Sequence, residues 1–99
     1  MARGEAVFRL RGRELSGDEL KTLLVMAWTG WNALLMSYIV MMLGKARAMR
    51  VVEALKAKGL VNEYRASSRL RVFALTEEGR AVVREFVEEA RRLGVRCPA

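Results

Sequence analysis

The chain has 99 residues, 53% of them hydrophobic, with 18 lysines and arginines against 11 aspartates and glutamates and a formal net charge of +7. This size and apolar content suit a single domain over residues 1–99 with one modest core. There is no histidine and only one cysteine, Cys97, which excludes a disulfide framework, a His/Cys zinc site and any imidazole-based catalytic pair.

Cys97, beside Pro98, reads as an idle thiol near the chain end. Fourteen arginines, no glutamine and two asparagines fit a thermophile's protein, while six methionines count against it. The first residues, from Met1 to Glu5, lack the apolar core of a secretory signal, so a cytoplasmic location is expected.

In chain order, residues 1–15 read as an N-terminal strand or arm, with a short strand from Ala6 to Leu10 and a polar turn through Gly12. Ser16-Gly17-Asp18-Glu19 has the spacing of a capping box, which predicts a first helix from Gly17 to Thr29. Leu23 to Leu43 then runs for 21 residues without a charge. That length suits a membrane span. However, Thr29-Gly30-Trp31-Asn32 breaks the run, and Trp28, Trp31 and Tyr38 sit centrally, not at two interfaces. The favoured reading is therefore two buried helices and no membrane. Asn32 would cap the second helix, to Leu43, with Met41 and Met42 as core filler and Trp28 and Trp31 in the core or an interface.

Gly44 marks the turn into a third helix that runs to Lys58 and stops at Gly59. Ala48, Val51, Val52 and Leu55 fall on one face of it, leaving Lys45, Arg47 and Arg50 on the other. Leu60–Ala66 and Leu70–Leu75 read as a hairpin with Ser67-Ser68-Arg69 at its tip. Thr76 caps a last helix over 77–93, with Val82, Val83, Phe86, Ala90 and Leu93 as its apolar stripe. Its alternating glutamates and arginines resemble a solvated face, not a catalytic carboxylate pair, and no enzyme activity is expected.

Charge is concentrated in one third of the chain. Residues 44–76 carry eight basic residues against Glu53 and Glu63, a net of +6. A focused positive field on a helix and hairpin is the electrostatic footprint of nucleic-acid binding.

The order of three helices, a basic hairpin and a final helix, together with Leu55-x-x-x-Gly59-Leu60-Val61 and Leu75-Thr76-Glu77-Glu78-Gly79-Arg80, resembles the MarR/ArsR/PadR-like winged-helix transcriptional regulators. The resemblance covers about residues 16–90. It implies an α+β, mainly α, winged helix-turn-helix with a three-helix core, a two-stranded wing and a C-terminal helix. It also implies that the third helix reads the DNA major groove while the wing contacts the backbone or minor groove.

On the third helix the candidate contacts are Lys45, Ala46, Arg47, Met49 and Arg50, with Arg47 and Arg50 best suited to bidentate base contacts. On the wing they are Arg65, Ser67, Ser68, Arg69 and Arg71. Unlike many relatives, the chain has no Ser or Thr to cap the third helix and no Asp-x-Arg at the wing tip. The expected partners are double-stranded DNA and a second copy of the chain, with helix 77–93 and the apolar helices supplying the contact; no cofactor is expected. The competing reading is a winged-helix interaction module of a larger transcription or RNA-processing assembly, docking through its apolar second helix.

Overall fold

In the computed structural model, residues 7–94 are described, so Ala6, Cys97 and both chain ends fall outside the account that follows. The elements in order are β1 (Val7–Leu10), β2 (Arg13–Ser16), α1 (Gly17–Trp28), β3 (Ala33–Leu35), α2 (Met36–Leu43), α3 (Lys45–Ala57), β4 (Val61–Arg65), β5 (Arg71–Leu75) and α4 (Glu77–Arg92). Among the described residues this gives four helices and two small antiparallel sheets, β1-β2 and β3-β5-β4.

The N-terminal arm is a hairpin and not a lone strand. Arg11 and Gly12 both take positive φ (51° and 78°), the conformation a two-residue turn needs, and register Phe8↔Leu15 follows. Leu15 is fully buried. The sequence of β2, Arg-Glu-Leu-Ser, carries one apolar residue and so hides its strand character. The capping box forms as expected: Ser16 Oγ accepts from the Glu19 N–H at 3.2 Å, and Glu19 Oε1 accepts from the Ser16 N–H at 3.1 Å.

The uncharged stretch corrects one expectation. Asn32 does not cap the second helix; it sits at φ 56°, and residues 33–35 form β3 before α2 begins at Met36 with no side-chain cap. The Leu75 N–H donates to the Asn32 carbonyl at 2.8 Å, and Leu34 pairs with Phe73. Pairing with β5 thus overrides helix propensity at a point where periodicity could not discriminate between them. Two further assignments fail: Met41 is 79% exposed and does not fill the core, and Leu93, expected in the apolar stripe of the last helix, is 77% exposed just past its end. Of the two alternatives for Trp31, core or interface, its 84% exposure removes the core. No helix among the described residues is long and apolar enough to cross a membrane.

The core gathers Leu15, Leu23 and Met26 below, Ile39, Val52 and Leu55 from α2 and α3, and Leu60, Phe73 and Val82 from the remaining elements. Two sequence motifs meet there. Thr76 Oγ1 accepts from the Gly79 N–H (3.0 Å) and donates to the Gly59 carbonyl (2.8 Å), while the Thr76 N–H donates to the Leu60 carbonyl (3.0 Å). Gly79 lies so close to the Leu60 backbone that a Cβ there would collide with its carbonyl oxygen. The Gly-Leu-Val and Leu-Thr-Glu-Glu-Gly segments are therefore two halves of one joint.

Candidate nucleic-acid interface

The joint between α2 and α3 is a single residue. Gly44 takes φ 85°, its N–H reaches the Val40 carbonyl at 2.7 Å, and its own carbonyl accepts from the Ala48 N–H at 2.9 Å. Only glycine enters that region without strain. No side chain caps the first turn of α3. Ala48, Val51, Val52 and Leu55 are buried, which turns Lys45, Ala46, Arg47, Met49 and Arg50 outward, all of them exposed.

These side chains are not equivalent. Arg47 is held by α1: its Nε and Nη2 donate to the two Asp18 carboxylate oxygens at 3.0 and 2.7 Å. The hydrogen bond from Arg47, with the positive charges of Lys21 and Arg50 nearby, keeps Asp18 below its usual carboxylate range. Arg50 and Lys45 make no direct side-chain hydrogen bond or ion pair with another described residue. The favoured pair from sequence is thus split, with Arg50 presented to solvent and Arg47 engaged within the fold.

The wing shows the same division. Arg65 lies directly opposite Arg71 in the β4–β5 register, a like-charge pairing that is unfavourable unless something intervenes. Glu63 intervenes. Its carboxylate accepts Arg71 Nε at 2.6 Å, lies 3.4 Å from Arg65 Nε, and accepts Lys56 Nζ from α3 at 2.9 Å. Its side chain is only 13% exposed, and the hydrogen bonds from Arg71 and Lys56 lower its pKa to about 2.

Arg71 also lies over the Phe73 ring at 5.3 Å. It is the least available of the proposed wing contacts, a part of the wing's base more than of its tip. Ser67 Oγ accepts from the Arg69 and Leu70 N–H groups and shapes the tip, Ser68 is exposed beside it, and the Arg69 side chain is exposed. Lys58, counted in the basic third of the chain, bonds Glu19 Oε1 and the Glu14 carbonyl, both at 2.7 Å.

Asp18 and Glu63 were missed at the sequence level. Each left a faint mark: Glu63 is the single acid between Leu60 and Thr76, and Asp18 sits at the start of the helix packed against α3. Among the described residues no group of His, Cys, Asp and Glu is arranged to hold a metal ion.

The chain matches a solved structure of Lactococcus lactis ZitR, a cysteine-to-serine variant in complex with DNA, with a TM-score of 0.68. The two chains share a fold. Sequence identity to ZitR is 18%, and the match covers 92% of this chain but 64% of the ZitR chain. The sequence matches no family model and no curated protein. The four helices and two small antiparallel sheets of this chain are consistent with a winged helix.

Proposed function

We infer that the chain is a winged helix-turn-helix protein that binds double-stranded DNA in a sequence-specific manner and acts as a transcriptional regulator. The observation that carries this reading is the Lys56–Glu63–Arg71 contact. It ties the base of the wing hairpin to the basic helix α3, bringing the two charged elements side by side. The structure of ZitR in complex with DNA supports it at the level of the fold. α3 would enter the major groove with Arg50, Lys45 and Met49 forward and Ala46 allowing close approach, while Arg69, Ser67 and Ser68 meet phosphates or the minor groove. Arg65 lies beside them on the wing arm.

Titration of a random-sequence and a selected duplex at increasing salt tests the proposal. Affinity for both should fall steeply as counterions are released on binding, and a salt-independent or absent response refutes it. Arg50→Ala should cost about 1–3 kcal/mol on the selected duplex alone, whereas Arg69→Ala should weaken both duplexes alike.

A further inference from the structure

Met49 is the one large apolar side chain among the exposed residues of α3, and it is 40% exposed. With 3.6 residues per turn, Ala46 and Arg50 fall opposite the buried row of Ala48, Val51, Val52 and Leu55. Met49 lies on the flank that also carries Lys45 and Lys56, one turn from the first and two from the second. Other methionines find cover: Met26 is fully buried, and Met36 and Met42 pack against the core.

Several further apolar side chains are exposed, but they gather elsewhere. Leu35, Val72 and Tyr64 form a row on the outer face of the wing sheet, with Trp31 and Tyr38 at its margin. Glu63, Arg65 and Arg71 share the opposite, inner face. Met49 stands outside that group, among charges.

On a solvated helix a single exposed apolar residue is ordinary. Inside a DNA groove its chemistry becomes selective. A thioether has no hydrogen to donate and is a weak acceptor. Pressed against the donors and acceptors of the base edges, it would strip their water and leave them unpaired. The major groove offers one apolar group, the C5-methyl of thymine. An unbranched side chain with three rotatable bonds can settle on that group. Arg50, the next residue, carries the fork that matches guanine O6 and N7. Ala46, at the centre of the outward face, keeps the backbone close to the bases.

We propose that Met49 is a specificity-determining residue, selecting thymine in the major groove by apolar contact with its C5-methyl group, beside a guanine held by Arg50. The proposal rests on the reading of α3 as a DNA-contacting helix and adds to it the class of base that the helix requires.

The test uses the duplex that the whole chain selects from a random pool. Each thymine is replaced in turn by deoxyuridine, which pairs identically and lacks only the methyl group, and affinity is read by fluorescence anisotropy. For the wild type, at least one replacement should weaken binding roughly fourfold, the value of one buried methyl group. The same replacement should have no effect on Met49→Ala. Alanine is the better helix former, so this variant should keep the wild-type circular dichroism spectrum. Arg69→Ala, on the wing, should bind more weakly but keep the full sensitivity to the missing methyl group.

A selected duplex without thymine, or tolerance of every replacement, overturns the contact. So does a loss that persists unchanged in Met49→Ala, or one that disappears in Arg69→Ala as well. Each of these results leaves DNA binding itself standing. Failure of the wild type to bind any duplex removes the DNA reading, and the contact with it.

Discussion

Two carboxylates set how the arginines behave. The Asp18–Arg47 pair is partly solvated, with side chains 31% and 54% exposed, so it contributes only about 0.5 kcal/mol to stability. Its larger effect is electrostatic. If α3 enters DNA, Asp18→Asn should tighten binding to any duplex, because a negative charge near the phosphates is lost. Fluorescence anisotropy measures the gain, and urea unfolding the small loss in stability.

Glu63 makes a separate prediction. Its folded pKa is depressed from 4.5 to about 2, so the ionised form is favoured by folding. The stability it contributes is therefore fully present above the unfolded value and is lost as pH falls through about 4.5 toward about 2. Asp18 and Glu78, both lowered by arginine hydrogen bonds, act in the same direction. Melting temperature followed across this range should drop for the wild type, and Glu63→Gln should show a shallower drop from a lower starting point.

At the scale of elements, the joint between α3, the hairpin and α4 is where substitution should do most harm. Gly79→Ala places a methyl group against the Leu60 carbonyl, and neither backbone can move without disturbing the Thr76 cap. It should cost several kcal/mol, on the order of the largest single-site effects, as read by chemical denaturation. Alanine at Gly17, where nothing crowds the added Cβ, serves as the control.

The two halves of this joint were legible in the sequence, Thr76 as a helix cap and Gly59 as a helix stop, because each has a local reason to be there, but their contact was not. Also legible were the capping box at Ser16, the buried face of α3 and the α4 stripe as far as Ala90. What was not legible is what depends on pairing across distance. β2 has too few apolar residues to announce itself, and β3 lies inside a run whose composition suits helix equally well. The partners of Arg47 and Arg71 come from elements 29 and 8 residues away, which no spacing rule connects. Met41 and Leu93 were misplaced because hydrophobicity indicates that a side chain wants cover, not which neighbour supplies it.

Across the whole molecule, charge and apolar surface are segregated. The basic residues of α3 and the inner wing lie apart from the uncharged outer wing and its flanking Trp31 and Tyr38. If α3 and the wing meet DNA, affinity should fall as salt rises in a titration with duplex. The N-terminal hairpin adds rigidity from the far side. Arg11 and Arg13 both reach Glu78 at the start of α4, at 2.7 and 2.8 Å, and Arg13 also bonds the Lys58 carbonyl.

The pairing of β3 with β5 decides how much of the hairpin can travel. Residues 33–35 clamp β5 from Val72 to Ala74, and Glu63 pins the next rung to α3. Residues 66–70, beyond Arg65 and Arg71, lie outside these clamps as a short pointer. If the wing meets DNA, its reach is governed by the length of this pointer, so inserting or deleting a residue there should alter duplex affinity in fluorescence anisotropy more than exchanging its serines would.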